Sequence, residues 1–232
     1  PKLRQIAALF DMRADFVDGS SYGNGHINDT YCVNFDQAGL LSIRYIFQRI
    51  NTNVFTKPEE LMENIARVTR HSLEMLKAED HPEAHRRTLT CIPAIDGKPF
   101  GVDEEGNYWR VYPFIERATG HDELKTNEQA YQAAKAFGNF QMLAAGLPGA
   151  RLHETIPNFH NTPKRLEALL AAIDADVCNR ASGLKAEIDF AIARTADCSR
   201  ITDLIASGVI PERVTHNDTK LNNVLLDDST AE

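Results

Sequence analysis

The chain has 232 residues, 43% of them hydrophobic and 25% charged, with a formal net charge of −8. That is enough to bury a good core in one large domain or two lobes, and the acidic balance argues against nucleic acid or an anionic membrane as partner. No apolar run approaches the ~18 residues of a membrane span, the start Pro1-Lys2-Leu3-Arg4 lacks a signal-peptide core, and the scattered Cys32, Cys91, Cys178 and Cys198 read as reduced, mostly buried thiols, so the cytoplasm is the expected compartment.

Asp15-Phe16-Val17 opens an extended stretch that runs into the turn-rich Gly19-Ser20-Ser21-Tyr22-Gly23-Asn24-Gly25-His26. The β-branched and aromatic run Thr30 to Phe35 predicts a second strand. A turn at Asp36 to Gly39 leads to a third over Leu41 to Ile50. Together they predict an antiparallel meander. A helix is expected from Pro58, capped by Thr56, with Glu59 and Glu60 at its positive end and Leu61, Met62, Ile65, Val68, Leu73 and Leu76 at helical spacing. Two more strands are expected, over Arg87 to Pro93 and Gly106 to Phe114, separated by the turn Asp96-Gly97-Lys98-Pro99.

The second half reads as helical. Thr126-Asn127-Glu128-Gln129 has the form of a capping box, and Ala130, Ala133, Ala134, Phe137 and Met142 mark a buried side ending before Gly146. Thr162-Pro163 opens another helix with the stripe Leu166, Leu169, Leu170 and Ile173, and a third is expected from Leu184 to Ser207. The fold class is therefore α+β. A β-rich lobe over residues 1–115 is joined to a helical lobe over residues 116–232.

The chemistry concentrates in His216-Asn217-Asp218-Thr219-Lys220-Leu221-Asn222-Asn223, followed by the apolar Val224-Leu225-Leu226. In this spacing Asp218 can accept a proton from an attacking hydroxyl. Lys220 can neutralise charge on a transferring phosphoryl group, and Asn223 can ligate Mg²⁺. A polar hairpin loop whose Asp caps local amides is the plainer alternative. The glycine-rich turn with Gly23 and Gly25 suits close backbone approach to phosphate oxygens, though an ordinary hairpin has the same composition. It is not a Walker A loop, since no Gly-Lys-Ser/Thr follows. Arg49 at the end of the third strand and Glu63 on the helix are candidates for a phosphate-anchoring ion pair, or for a solvated surface pair. Arg in place of Lys there would change the donor geometry. Tyr112-Pro113-Phe114-Ile115-Glu116 lies where the lobes meet, and its extended backbone can face adenine. His26 fits either a substrate contact or a structural hydrogen bond. His81 and His85 are four apart, but Pro82 intervenes and no further ligand cluster accompanies them, so they read as a surface turn.

With these residues in view, the chain resembles the bacterial aminoglycoside phosphotransferase and choline kinase-like group. Tyr22 to Thr30 together with Thr215 to Asn223 is most similar to the N-acetylhexosamine 1-kinases. The resemblance spans almost the whole chain and implies a protein-kinase-like two-lobe fold. It also implies ATP and Mg²⁺ as cofactors and transfer to the anomeric hydroxyl of N-acetylglucosamine or N-acetylgalactosamine. It would make Asp218 the catalytic base in contact with the sugar, Lys220 the phosphoryl support and Asn223 the metal ligand. Gly23, Gly25, Arg49, Glu63, Tyr112 and Phe114 would hold the nucleotide, and His26 would face the sugar. Lys220 departs from the aminoglycoside branch, which usually lacks it. Kinases of this fold carry a second acidic metal ligand on a later strand. Asp227 and Asp228 read instead as a hairpin turn, so that ligand is expected past Glu232 and the helical lobe is expected to be truncated, with apolar surface exposed. Choline, homoserine or an aminoglycoside as acceptor, or a non-catalytic kinase-derived module, are the alternatives.

Overall fold

The computed structural model describes residues 2–23, 25, 27–39 and 41–230, and the chain divides into two compact units: residues 1–155 with 214–232, and residues 156–213. Strands β1 (Asp15–Ser21), β2 (Asp29–Gln37) and β3 (Leu41–Arg49) form the expected meander. With β4 (Gly101–Val102) and β5 (Tyr108–Pro113) they make an antiparallel sheet of order β1-β2-β3-β5-β4. Side chains alternate across a sheet, and one face carries Val33, Phe35, Phe47, Trp109 and Val111. Against it packs a helix not expected above, α1 (Lys2–Ala7), through Ile6 and Ala7, with Phe10 following. Leu3, Ile6, Ala7 and Phe10 recur at helical spacing, so the signal was present. Trp109 donates Nε1–H to Asp103 at 2.9 Å, which satisfies its one polar atom where the ring is buried.

The helix α2 (Pro58–Ala78) begins at the predicted Pro58 and buries Met62 against Ile50 and Phe100. Thr56 does not cap it: the N-cap is Lys57, which supplies no side-chain hydrogen bond. The strand expected over 87–93 is absent. A short helix α3 (Ala84–Arg87) is followed by extended chain that meets β5 only where Ile92 N–H donates to Val111 O at 2.8 Å. β4 already occupies that edge at Trp109 and Tyr108, and Pro93 has no N–H to extend a ladder. The turn at Asp96 to Pro99 forms as read, closed by Gly97 N–H to Ala94 O.

β6 (Ala118–Gly120) pairs with β7 (Leu225–Asp227), so the apolar run after the loop at 216–223 is a strand, with Val224 and Leu226 buried. α4 (Asn127–Ala144) is capped as predicted: Thr126 accepts from Gln129 N–H at 3.2 Å, while Gln129 reaches back to Lys125 N–H rather than to Thr126. Its buried side is Gln132, Ala133 and Ala144. Ala134 and Met142, expected to be buried, are exposed.

In the second unit, α5 (Thr162–Ala175) starts at the predicted Thr162 with Asn161 as cap and ends at Asp176 in the left-handed region. The single helix expected over 184–207 is instead a 3₁₀ turn (Ala181–Leu184) and three pieces, α6 (Lys185–Ile192), α7 (Thr195–Cys198) and α8 (Arg200–Ala206). Hydroxyls compete for the backbone at the breaks: Thr195 donates to Ile192 O and Thr202 to Ser199 O, each at 2.7 Å. No side chain in this unit is buried, and Leu169, Leu170, Phe190, Ile201 and Val209 stand exposed. Cys178 is exposed too, against the expectation of mostly buried thiols.

Candidate active site

The loop from Val214 to Lys220 carries no regular structure and ends in a 3₁₀ turn over Leu221–Asn223. Asn217 sits in the left-handed region (φ 64°), which Asn tolerates better than most residues, and it turns the chain between His216 and Asp218. His216 stands edge-on to Phe137 and Phe140 of α4, both centroids 5.6 Å away, so it anchors the loop to that helix. The other end is held by Asn222, which donates to Asp122 at 2.9 Å, and by β7. Between these anchors Asn223 donates Nδ2–H to both the backbone oxygen and Oδ2 of Asp218, each at 2.8 Å. Lys220 Nζ lies 3.5 Å from the same Oδ2. All three side chains are solvent-accessible, so Asp218 is a carboxylate reachable by a hydroxyl and oriented by an amide.

This donor set suits a hard cation. With its amide hydrogens on Asp218, Asn223 presents Oδ1, and Mg²⁺ typically takes only one or two protein oxygens beside phosphates and water. Among the described residues no group of three or more His, Cys, Asp and Glu gathers as an all-protein metal site. Asp227 and Asp228 are engaged elsewhere. Asp227 accepts from Ser229 Oγ and N–H and Thr230 N–H and pairs with Arg86, while Asp228 accepts from Thr119 at 2.7 Å. Those hydrogen bonds, Ser229's foremost, hold the Asp227 carboxyl down at about 2.

In the glycine-rich turn, Tyr22 N–H donates to Thr30 O at 2.9 Å, Gly23 has φ 77°, and a Cβ at Gly23 or Gly25 would meet nothing within 4 Å. Among the described residues, nothing therefore crowds Gly23 or Gly25. His26 lies outside the described residues. Tyr22 meets Phe114 edge to face at 5.5 Å, and Arg44 lies over the same ring at 3.8 Å while forking onto Glu116. Phe114 N–H is used by Arg44 O at 3.0 Å. Burial pushes the Tyr112 hydroxyl up.

Arg49 and Glu63 are not brought together. Arg49 pairs with Asp29, its register partner on β2, donating Nε–H at 2.7 Å. Glu63 is exposed and meets His153 Nε2 at 3.0 Å. Sequence reasoning missed the partners because it matched charges along the chain without the parity of the strand. It also missed Gln48 and Arg110, which face each other across β3 and β5 with Arg110 Nε–H to Gln48 Oε1 at 2.9 Å. An open groove of about 540 Å³ beside the loop, along α4, is lined by Ala133, Phe137, Gln141, Thr219 and Leu221 among others, none of them charged.

The model of the APH family, described as a phosphotransferase enzyme family, matches residues 18–231, and the chain belongs to that family. Among solved structures it is similar to a spectinomycin phosphotransferase, APH(9)-Ia, in complex with ADP and spectinomycin, at 11% identity and a TM-score of 0.49 over 99% of this chain and 66% of that one. It is also similar to the amicoumacin kinase hAmiN in complex with AMP-PNP, Ca²⁺ and Ami, at 13% identity and a TM-score of 0.47 over 75% of this chain and 53% of that one. The chain thus spans about two thirds and about half of their lengths. No helix among the described residues is long and apolar enough to cross a membrane.

Proposed function

We propose that the protein is an ATP- and Mg²⁺-dependent kinase of a small-molecule hydroxyl, its acceptor the anomeric hydroxyl of an N-acetylhexosamine. The observation that carries the kinase reading is the Asp218–Asn223–Lys220 constellation in a member of a phosphotransferase family. Asp218 takes the hydroxyl proton as the sugar oxygen bonds to the γ-phosphorus. The bond to the β,γ-bridging oxygen breaks, and ADP leaves. Lys220 balances charge on the moving phosphoryl group, and Asn223 Oδ1 would help hold a Mg²⁺ ion, which would supply further charge stabilisation to the phosphates. An anomeric hydroxyl is more acidic than an ordinary alcohol, so an exposed carboxylate is basic enough for the task. In this reading residues 1–115 hold the nucleotide, with Gly23 and Gly25 over the phosphates and Tyr112 to Phe114 beside adenine. Residues 116–232 carry the loop. The sugar assignment rests on the wording of the Tyr22 to Thr30 and Thr215 to Asn223 segments.

A substrate panel with ATP and Mg²⁺, followed by ³¹P spectroscopy, tests both parts. N-acetylglucosamine or N-acetylgalactosamine should yield a 1-phosphate; turnover with choline, homoserine or an aminoglycoside alone would redirect the substrate. Asp218→Asn should lower turnover by about 100- to 10,000-fold while ATP affinity changes little. Near-normal rates in that variant would remove Asp218 from the mechanism.

A further inference from the structure

The sheet face opposite α1 carries a polar ladder across β2, β3 and β5. Thr30, Gln48 and Arg110 are register partners on β2, β3 and β5. Gln48 donates Nε2–H to Thr30 Oγ1 at 2.8 Å, and its Oε1 accepts from both Nε and Nη2 of Arg110. Arg110 is half-buried, yet its partner is a neutral amide, and among the described residues no carboxylate pairs with it. Arg44, Arg49 and Arg86 each have a carboxylate, in Glu116, Asp29 and Asp227. A half-buried guanidinium with two of its five donors on one amide oxygen is a costly arrangement unless an anion completes it.

The surroundings say which anion. Thr30 closes the base of the glycine-rich turn by accepting Tyr22 N–H. Arg44, on the same face as Gln48, reaches Glu116 next to β6, and Arg86 ties Glu116 O to Asp227 of β7, the strand that follows the Asp218 loop. The ladder therefore lies at the base of the glycine turn, on the same sheet face from which Arg44 reaches Glu116. We infer that Arg110, oriented by Gln48 and Thr30, is the cation that binds the α- and β-phosphates of the nucleotide, in place of an Arg49–Glu63 pair. This inference rests on the kinase reading above. Arg110 is a binding residue; Gln48 and Thr30 are positioning residues that hold its guanidinium through the Gln48 amide.

The test is titration of the protein with ATP, ADP and adenosine in the presence of Mg²⁺. Arg110→Gln should weaken ATP and ADP by about 10- to 100-fold and leave adenosine unchanged. Arg110→Lys should restore part of the loss. Unchanged ATP affinity in a folded Arg110→Gln variant would overturn the assignment, as would equal losses for ATP and adenosine, or a larger loss in Arg49→Gln. A second measurement needs no variant. Inorganic tripolyphosphate, and not adenosine, should protect Arg110 of the wild-type protein from phenylglyoxal, and indifference to both would also overturn it. If the wild-type protein binds no ATP, the kinase reading itself fails, which separates the two failures.

Discussion

Asp218 has two neighbours that do opposite things. Asn223 donates into the carboxylate and fixes its direction, while Lys220, 3.5 Å away, adds charge without locking it. In the proposed kinase, a carboxylate so held would need little reorganisation to meet a hydroxyl, which is where an enzyme gains over water. Asp227 is an acid used for structure instead. Its carboxylate closes the turn after β7, with its pKa lowered to about 2 by Ser229 and Thr230 and the nearby Arg86. A depressed folded pKa stabilises the native state at pH values above the unfolded value of about 3.9, and that contribution is lost as pH falls through the folded value. Asp227→Asn should therefore flatten the pH dependence of the unfolding midpoint between pH 4 and pH 2. Superimposable curves for the two proteins would refute the role.

At the scale of elements, the two long helices of the first unit start differently. α4 has Thr126 on Gln129 N–H, whereas α2 begins at Lys57 with no side-chain acceptor, although Pro58, Glu59 and Glu60 follow. Loss of a cap costs about 1 kcal/mol, so Thr126→Ala should lower stability by about that much and Lys57→Asn should raise it by about 0.5 kcal/mol. Chemical denaturation of the two variants measures both, and a neutral Thr126→Ala would mean the α4 cap is dispensable. The meander and these helices were legible in the sequence because a period of 2 or 3.6 is local. The missing strand at 87–93 was not, since it depends on β4 occupying the edge of β5. The break-up of residues 184–207 has local causes, the hydroxyls of Thr195 and Thr202, but apolar spacing alone hides them.

Across the whole molecule, burial is uneven. The first unit holds the cores around Phe47 and Trp109 and around Met62, whereas no side chain of residues 156–213 is buried. Stability within a protein follows buried apolar contact, so helices without it open at low cost. Amide exchange followed by mass spectrometry should show peptides from α5 to α8 exchanging well before those of β2 and β3. Equal protection in the two regions would contradict this. The apolar stripe of α5 is legible in Leu166, Leu169, Leu170 and Ile173, of which Leu169 and Leu170 are exposed, because amphipathic spacing identifies a face without saying what covers it.

The sequence by itself determined the loop proposed to be catalytic. Asp218, Lys220 and Asn223 lie within six residues, so one 3₁₀ turn and its flanking anchors bring them together, and their spacing already encodes the contact. Only the tertiary structure decided which cation stands where. Neighbouring residues on a strand face opposite sides, so Arg49 and Gln48 differ by one position and by a whole sheet face. Arg49 is spent on Asp29, and Gln48 turns to Arg110, 62 positions away along the chain. That pairing depends on the register of β3 against β5, which the alternation within either strand leaves open.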